Sequence, residues 1–294
     1  MRQKVLILGC TGLLGHILLS QLMKDDRLDV YATSRLKEIP EWFPRELSSR
    51  VRKHADAENI DSIIRALASV QPDVVINCIG LIKQQPISSD PLSAITINSL
   101  LPHRISMICS TSCARMIHIS TDCVFNGLKG NYFETDPSDA EDLYGRSKYL
   151  GEVSYPHCVT LRTSIIGHEL KGKLGLVEWF LSQQGKVSGY THAIYSGFPA
   201  VEIARIISQY VLPNSQLSGV YHVSSEPISK YDLLKMIAKK YDKDVTIEPD
   251  DSFNADRSLD SSVFRKATGY KPPNWQQMID MMYDNYLNCH YYHK

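Results

Sequence analysis

The first 22 residues constrain the fold more than any other stretch of the chain. A short, continuous apolar run at residues 5–8 leads directly into a turn with glycines at positions 9, 12 and 15. After this turn, apolar residues recur at helical spacing up to Leu22. A strand, a glycine turn and a helix in this order are the context in which such glycines indicate dinucleotide binding. The sequence therefore predicts that the chain opens with the phosphate-binding unit of a nucleotide-binding sheet.

Each of the three glycines has a separate physical role in a turn of this kind. Gly9 permits the tight turn, Gly12 lets the backbone approach a pyrophosphate, and Gly15 lets the helix pack closely on the strand. The helix N-terminus then offers unpaired N–H groups and a positive dipole end to the phosphates. We predict that the turn binds the cofactor through Gly9, Thr11, Gly12, Leu13, Leu14 and Gly15.

The end of the second predicted strand, residues 29–33, indicates which dinucleotide is used. Sites that prefer NAD place an Asp or Glu here to hold the ribose hydroxyls, whereas this chain has Ser34 and Arg35. A guanidinium favours an added 2′-phosphate, which a carboxylate would repel. We therefore predict NADP(H) as the preferred cofactor and NAD(H) as the alternative. Arg35 could instead be an ordinary loop arginine that faces solvent.

Strand-like and helix-like patterns alternate through the first half of the chain. Residues 51–56, 73–80, 115–119 and 158–166 read as further strands, and residues 58–70 and 91–111 read as helices. This alternation predicts an α/β fold with a doubly wound parallel sheet, a Rossmann fold, whose ligands lie at the carboxyl ends of the strands. The cofactor contacts predicted at those ends are Ser34, Arg35, Asp56, Ala57, Cys78, Ile79 and Gly80. Lys83, at the same edge, is a candidate substrate contact or a solvated loop residue.

Beyond residue 165 the alternation weakens, which predicts a second, smaller α/β domain. Helices are expected at residues 174–184, 202–212, 229–241 and 274–287, and a strand at 219–225. We predict a cofactor domain at residues 1–165 and a substrate domain at 166–294. Whether parts of about 190–222 pack back on the first sheet is left open.

Composition excludes several other classes of protein. The 294 residues include 32 basic and 32 acidic side chains, which removes any bulk electrostatic case for nucleic acid or an anionic membrane. The seven cysteines form no Cys-x-x-Cys pair, so they are expected to be reduced, and no metal site is predicted. Since no signal peptide or membrane-length apolar run is recognised, a cytoplasmic location is expected.

The pattern Tyr-x-x-x-Lys occurs twice, at Tyr144/Lys148 and at Tyr231/Lys235. On a helix these positions share one face, and a nearby cation stabilises the phenolate, so the pair makes a usable proton donor near neutral pH. Only the first copy follows a hydroxyl, Thr121, at the carboxyl end of a predicted strand. We therefore predict Thr121, Tyr144 and Lys148 as the catalytic residues, with the last two also contacting the cofactor. The second copy is assigned to a helix surface. Asp142 and Ser229 are candidate N-caps of the two helices.

These segments together resemble a known family. Residues 9–15, 120–127 and 144–152 are similar to the extended short-chain dehydrogenase/reductases. Within that superfamily the chain most resembles the dTDP-4-dehydrorhamnose reductase branch, a resemblance that extends to residues 161–164 and 256–260. The similarity covers essentially the whole chain.

The resemblance implies NAD(P)H on the Rossmann sheet and a nucleotide sugar bound between that sheet and the C-terminal domain. By analogy, Tyr144 protonates a carbonyl oxygen as hydride arrives, Lys148 holds the nicotinamide ribose and lowers the tyrosine pKa, and Thr121 stabilises the oxyanion. The implied reaction is reduction of the 4-keto group of a 4-keto-6-deoxy nucleotide sugar for surface polysaccharide or glycan biosynthesis. Family members often dimerise, so a homodimer is one state open to this chain.

The substrate contacts are predicted less sharply. Arg162 and Arg257 are candidates to meet a diphosphate, and Trp179 could cover the sugar or the base. Surface ion pairs and core packing are the alternatives for these side chains. The full set predicted to contact substrate is Lys83, Thr121, Asp122, Cys123, Arg162, Trp179 and Arg257.

Cys123 departs from the branch pattern, which has tyrosine at this position. In related epimerase-reductases, a cysteine at the same spacing from the catalytic hydroxyl residue exchanges protons, and Cys123 could do so with a partner such as His168. Cysteine is also a common small buried filler, which we favour.

Two other functions are considered. A nucleotide-sugar dehydratase or epimerase is disfavoured because dehydratases of this superfamily usually have a glutamate where this chain has Cys123. A catalytically silent NADP-binding regulatory subunit is disfavoured because Thr121, Tyr144 and Lys148 are all present.

Overall fold

The computed structural model describes residues 2–40, 43, 45–289 and 292. Contacts divide the chain into two compact units. The first comprises Met1–Ser120, Asp142–Leu161 and Ala204–Val220, and the second comprises Thr121–Glu141, Arg162–Ile203 and Tyr221–Lys294. Each unit is thus built from several separate segments of chain. The division into functional domains at residue 165 stays a prediction.

The structure contains the following elements. The strands are β1 (Gln3–Leu8), β2 (Leu28–Thr33), β3 (Val51–Arg52), β4 (Val74–Asn77), β5 (Arg115–Thr121), β6 (Cys158–Thr163), β7 (Ile165–Ile166), β8 (Lys186–Tyr195), β9 (Phe198–Pro199), β10 (Gly219–His222), β11 (Ile228–Ser229) and β12 (Thr246–Asp256). The α-helices are α1 (Leu13–Leu22), α2 (Arg45–Ser48), α3 (Ile60–Val70), α4 (Pro91–Ala94), α5 (Leu101–Thr111), α6 (Leu143–Leu150), α7 (Leu176–Leu181), α8 (Ala200–Ile206), α9 (Lys230–Lys240), α10 (Ser262–Thr268) and α11 (Trp275–Asn288). π-helical turns occupy Ile95–Leu100 and Ile207–Val211, and 3-10 turns occupy Pro86–Ser89 and Asp122–Val124.

A seven-stranded sheet has the order β10-β6-β5-β4-β1-β2-β3. The pairs β1–β2, β1–β4, β2–β3 and β4–β5 are parallel. The strand order reverses between β1 and β4, and the carboxyl ends at such a reversal form the crevice where doubly wound sheets bind ligands. The predicted Rossmann fold is therefore confirmed.

The core of the first unit explains why this sheet forms. Side chains of β1 and β4, such as Leu6, Leu8 and Val75, are fully buried in one cluster with apolar residues of α3 and α5. Strands buried on both faces read as continuous apolar runs, as β1 and β4 do. The core therefore fixes the strand ends that carry the candidate site.

The second unit contains a three-stranded sheet with the order β11-β8-β12, against which α9 packs. The expected helix at 229–241 is present, and its predicted cap is confirmed: Ser229 Oγ accepts a hydrogen bond of 3.0 Å from the Asp232 amide. Helix α11 packs on α9 and begins with a capping box at Asn274. Strands β7 and β9 form a separate parallel pair.

Several elements differ from the predictions. The third strand is shorter than the expected residues 51–56, and the helix expected at 91–111 is interrupted by a π-helical turn. Strands β8 and β12 were not predicted. The reason is that β12 is mostly exposed and contains a proline and several acidic residues, so it lacks an apolar alternation.

Within the described part of the chain, the structure contains no helix that is both long enough and apolar enough to cross a bilayer.

Candidate active site

The glycine turn joins β1 to α1 with the geometry that its sequence predicts. Gly9 has a φ of +91°, which favours glycine. A Cβ on Gly15 would lie 2.1 Å from the Gly9 carbonyl oxygen, so only glycine lets the helix approach the turn this closely. Gly12 is the N-cap residue of α1, and a glycine cap supplies no side-chain acceptor for the first-turn amides. The Gly9 amide donates to Thr33 Oγ1 at 3.1 Å, which ties the turn to β2.

The carboxyl end of β4 meets this turn. A Cβ on Gly9 would lie 3.2 Å from Ile79 Cγ1, so residues 78–80 pass directly beside the turn. At Gly80, a Cβ would lie 3.6 Å from Lys148 Nζ. The structure thus brings together three predicted cofactor contacts, the glycine turn, the segment 78–80 and Lys148, at the reversal of strand order.

At the end of β2, Ser34 and Arg35 differ in their exposure to solvent. Ser34 is buried, and its hydroxyl accepts a hydrogen bond of 3.1 Å from the Leu36 amide, whereas Arg35 is exposed. The Ala55 amide donates to the Ser34 carbonyl at 3.0 Å, which holds the segment leading to Asp56 and Ala57 beside it. Arg35 therefore has the exposure that contact with a charged ligand group requires.

Lys148 is the most unusual ionisable group of the first unit. It is 5% exposed, and its ammonium donates a hydrogen bond of 2.8 Å to the Ile119 carbonyl of β5. Burial lowers the pKa of Lys148 from 10.5 to about 8, and the negative charge of Glu152 opposes that change. Tyr144 lies one turn earlier on α6 and is half-buried.

Contacts with the π-helical turn hold helix α6 in place. Asn98 Nδ2 donates to Ser147 Oγ at 3.2 Å, while Asn98 Oδ1 accepts from the Leu81 amide at 2.8 Å. A Cβ on Gly151 would lie 1.9 Å from the Asn98 carbonyl oxygen, so this glycine allows the closest approach of the two helical segments.

The predicted cap at the start of α6 is confirmed, because Asp142 Oδ1 accepts from the Gly145 amide at 2.8 Å. The other carboxylate oxygen of Asp142 pairs with Lys83 at 2.7 Å on the exposed surface. Lys83 thus lies beside the helix that carries Tyr144.

In the second unit, three predicted site residues form one local network. Thr121 Oγ1 donates to Asp122 Oδ1 at 3.2 Å and accepts from the Cys123 amide at 3.1 Å. Burial raises the pKa of Asp122, against the opposing charge of Arg257 and a hydrogen bond with Ser164. Burial, reinforced by the charge of Asp122, raises the pKa of the Cys123 thiol to about 12.

The predicted substrate arginines are held by the protein itself. Arg257 donates to the carbonyl oxygens of Phe125 and Asn126 at 2.8 and 3.0 Å. Arg162 is 4% exposed, with Nη1 3.2 Å from His222 Nε2 and its guanidinium carbon 5.3 Å from the centroid of the Phe125 ring.

Trp179 and His168 lie elsewhere in the second unit. Trp179, by contrast with the arginines, is 38% exposed on α7. His168 places its two ring nitrogens 2.5 Å from Glu178 Oε1 and 2.7 Å from the Tyr241 hydroxyl. Because both nitrogens are already engaged, His168 is not poised as a proton partner for Cys123.

Sequence reasoning missed several residues that support the site. Thr33, Ser147 and Glu152 make contacts around the glycine turn and Lys148, and Gly151 admits the neighbouring helical turn. Asn98 carried one signal, since it is an amide inside an apolar helix, where an unpaired polar group would be costly. Ser147, Gly151 and Glu152 lie in the segment 144–152 that carries the family resemblance, but their contacts were not predicted because the partners are distant in sequence.

A parallel sheet with a glycine turn after its first strand, and a Tyr-x-x-x-Lys helix beside the carboxyl ends of its strands, defines the class of short-chain dehydrogenase/reductases. Within this class the chain belongs to the RmlD substrate binding domain family, whose sequence model matches residues 3–288. The predicted resemblance is therefore confirmed.

Individual relatives agree with this assignment. The chain is 25% identical over 301 residues to a dTDP-4-dehydrorhamnose reductase from Aggregatibacter actinomycetemcomitans, covering 94% of this chain and 97% of that protein. It is 24% identical over 253 residues to the zebrafish (Danio rerio) methionine adenosyltransferase 2 subunit beta, covering 81% and 74%. The crystal structure of a Bacillus anthracis dTDP-4-dehydrorhamnose reductase in complex with NADP has the same fold, with a TM-score of 0.79 at 22% identity and coverage of 97% and 100%.

Proposed function

We propose that the protein is an NADPH-dependent reductase of the 4-keto group of a 4-keto-6-deoxy nucleotide sugar, acting in surface polysaccharide or glycan biosynthesis. The observation that carries this proposal is the buried ammonium of Lys148, held at the strand-order reversal beside Gly80 and one turn after Tyr144. Membership of the RmlD family and the similarity to a reductase along nearly the whole chain support it.

The residues of the first unit fit a dinucleotide. The glycine turn and Gly80 form a cradle of bare backbone, parts of which any side chain would fill. The residues at 9, 11–15 and 78–80 would hold the pyrophosphate and its surroundings, Arg35 the 2′-phosphate, and Asp56 and Ala57 the adenosine end. NADP(H) is the preferred cofactor in this proposal, with NAD(H) as the alternative.

The chain's own residues supply the proton and the charge stabilisation. The bound dinucleotide supplies the hydride. The Tyr144 phenol donates a proton to the carbonyl oxygen, and the Lys148 ammonium holds the nicotinamide ribose and favours the phenolate that remains. The Thr121 hydroxyl, which donates to Asp122 Oδ1 in the structure, would turn to donate its one hydrogen bond to the same carbonyl oxygen as negative charge develops there.

The sugar side of the site is proposed at Lys83, Thr121, Asp122, Cys123, Arg162, Trp179 and Arg257. Trp179 has the exposure to cover a sugar or a base, whereas Arg162 and Arg257 would act chiefly through their charge, since their guanidinium groups are engaged within the protein. Titration of the protein with dTDP, UDP and GDP tests which base the protein selects. We also propose that residues 1–165 serve the cofactor and residues 166–294 the nucleotide sugar.

The test of the reductase proposal is the loss of NADPH absorbance with a mixed pool of 4-keto nucleotide sugars. The proposal predicts oxidation of NADPH with at least one member of the pool. If none is reduced although NADPH binds, the reductase proposal is replaced by the hypothesis of a catalytically silent NADP-binding regulatory subunit; the zebrafish relative is named as a subunit of a methionine adenosyltransferase.

Epimerisation before reduction is the second candidate, and it would use Cys123. With the pKa of its thiol raised to about 12, Cys123 is a poor base at neutral pH, which favours reduction alone. Reaction in deuterated water should then leave the ring carbons at C3 and C5 unlabelled. Deuterium at either carbon that is lost in Cys123→Ser would establish epimerisation instead.

We further propose a cytoplasmic homodimer. An exposed apolar stripe runs along α4, the π-helical turn and α5, with Leu92 and Met107 75% and 67% exposed, and Leu150 on α6 is exposed as well. A second copy of the chain would cover this surface. Light scattering should give twice the monomer mass, and Leu92→Glu with Met107→Glu should return the protein to a monomer.

A further inference from the structure

Glu152 lies just beyond the end of the catalytic helix. It stands four residues after Lys148 and eight after Tyr144, and its amide donates to the Tyr149 carbonyl at 3.1 Å in the turn around Gly151, the C-cap residue of α6. Gly151 makes this placement possible, since any larger residue there would meet the Asn98 carbonyl. The position of Glu152 is thus fixed by packing.

Glu152 and Lys148 hold two consecutive residues of β5. Glu152 Oε1 accepts a hydrogen bond of 2.7 Å from Ser120 Oγ, and Lys148 Nζ donates at 2.8 Å to the carbonyl of Ile119. The carboxylate and the ammonium are therefore anchored on consecutive residues at the end of β5.

Two other titratable groups around Lys148, Cys78 and His118, carry no charge near neutral pH. Burial raises the pKa of the Cys78 thiol to about 12, and burial lowers the pKa of His118 well below its usual value. Tyr144, one turn earlier, is the proton donor of the proposed reaction. The negative charge of Glu152 is the largest influence that opposes the effect of burial on the pKa of Lys148.

We propose that Glu152, anchored by Ser120, is a positioning residue that keeps the Lys148 ammonium charged and in place beside the cofactor. The proposal rests on the proposed function for its purpose, because Lys148 holds the ribose and favours the phenolate only when protonated. The effect of Glu152 on the protonation of Lys148 can be measured without any substrate.

The direct test is the titration of Lys148 in the protein without ligands. NMR of protein labelled with ¹³C at lysine Cε, with the resonance assigned through Lys148→Arg, should give a midpoint near pH 8. In Glu152→Gln the midpoint should fall by about 1 pH unit. A midpoint that stays within 0.2 of the wild type, on the order of a fifth of that shift, overturns the proposal.

Three variants separate charge from packing. Glu152→Asp keeps the charge, so the Lys148 midpoint should stay close to that of the wild type. Ser120→Ala removes the hydrogen bond to the carboxylate and should lower the midpoint by less than Glu152→Gln does. Asp26→Asn removes an exposed carboxylate elsewhere in the same unit and should leave the midpoint unchanged. If Glu152→Gln does not fold, Ser120→Ala carries the test, and an unshifted midpoint there overturns the anchoring.

NADPH binding supplies a second readout. Glu152→Gln should bind NADPH about threefold more weakly at pH 7.5 and equally well at pH 6, where Lys148 is charged in both proteins. A loss of equal size at every pH would indicate a structural role and overturn the proposal. Failure of wild type to reduce any 4-keto sugar would sink the proposed function while leaving the Lys148 midpoint to decide this inference.

Discussion

The two Tyr-x-x-x-Lys helices of this chain share a local sequence pattern and differ in everything around it. Lys148 on α6 is buried and donates to a strand carbonyl. Lys235 on α9 is exposed, with Nζ 4.9 Å from the centroid of the Tyr231 ring. In the first copy the ammonium is aimed at the backbone of the central sheet, and in the second it rests over the ring face of its own tyrosine.

The surroundings of the two helices explain the difference. Helix α6 packs against a π-helical turn, and a glycine of β4's carboxyl end lies beside its lysine. Helix α9 packs across β8, which forms the middle of a sheet in the second unit. Burial lowers the pKa of Lys148, although the negative charge of Glu152 opposes that effect. The Tyr-x-x-x-Lys spacing places the two side chains on one helix face, but the tertiary neighbours determine whether the pair can act in catalysis.

The largest contrast should come from the two tyrosines. Tyr144→Phe removes the proposed proton donor and should lower kcat about 10³-fold, in the range that general acids contribute. Tyr231→Phe removes a hydroxyl outside the proposed site and should leave kcat within about twofold of wild type. Steady-state consumption of NADPH with the best 4-keto sugar measures both. Full activity in Tyr144→Phe would refute the assigned mechanism.

Substitution of the two lysines should have different effects on the stability of the protein as well as on its activity. Burial lowers the pKa of Lys148 from 10.5 in the unfolded chain to about 8, so the unfolded chain holds this proton more tightly. The charged lysine thus destabilises the fold below pH 8, and this penalty is relieved as the pH rises from about 8 to about 10.5. Lys148→Met should raise the free energy of unfolding at pH 7 by about 1–2 kcal/mol, after the loss of its hydrogen bond, while lowering kcat/KM at least ~100-fold.

Lys235→Met is the matched control and should change neither quantity by more than about 0.5 kcal/mol or twofold. Urea unfolding at pH 7 and pH 10 checks the sign. A destabilised Lys148→Met protein would mean that the contact with Ile119 outweighs the cost of burying the charge.

Sequence reasoning predicted what is local in this comparison. It found the glycine turn, both helices and the caps Asp142 and Ser229, because each depends on residues close together in the chain. Thr121 separated the two copies in the sequence, but the surroundings of Lys148 include Gly80 and Ile119, which come from other segments of the chain. No spacing within the helix contains that information.

The same limit explains the strands that were missed. Strand β8 alternates between buried and exposed positions, but its residues are mostly small or polar, and β12 is largely solvent-facing. Both are stabilised by pairing with each other, which single-sequence periodicity does not reveal. The helix predicted at 91–111 is present, but its π-helical turn was not predicted for a related reason. The turn carries Asn98, whose contacts with Ser147 and Leu81 involve distant parts of the chain.

Alanine substitutions at two glycines, one beside each helix, should give effects of intermediate size on stability and activity. A Cβ on Gly151 would lie 1.9 Å from a backbone oxygen, which can retreat only if the helices separate. A Cβ on Gly189, under α9, would lie 2.8 Å from Ile247 Cγ2 and Tyr231 Cδ2 and 3.1 Å from Tyr231 Cα, so it meets side-chain atoms first and a backbone atom at a longer distance than at Gly151. Gly151→Ala should cost about 3 kcal/mol and lower kcat/KM about 10- to 100-fold by displacing α6.

Gly189→Ala should cost about 1 kcal/mol and leave kcat/KM unchanged. Thermal unfolding and steady-state kinetics measure the two effects together. Equal losses of activity in the two alanine variants would indicate that α9 also positions the reacting groups, and the contrast between the helices would fail.

The smallest contrast is between the two N-caps. Asp142 and Ser229 each accept a hydrogen bond from a first-turn amide, at 2.8 and 3.0 Å. Substitution of either cap by alanine should cost about 1 kcal/mol. Asp142→Ala also removes the ion pair with Lys83, but both side chains are exposed, so this pair adds at most about 0.5 kcal/mol.

The activities should nevertheless diverge, because the first turn of α6 carries Tyr144 and the first turn of α9 carries Tyr231. Fraying at the start of α6 should lower kcat/KM about threefold in Asp142→Ala, whereas Ser229→Ala should leave it unchanged at the same loss of stability. Lys83→Met separates the cap from the ion pair, since it removes the pair and keeps the cap. If Lys83→Met reproduces the whole threefold loss, Asp142 acts through Lys83 at the substrate side, and the cap contributes only to stability.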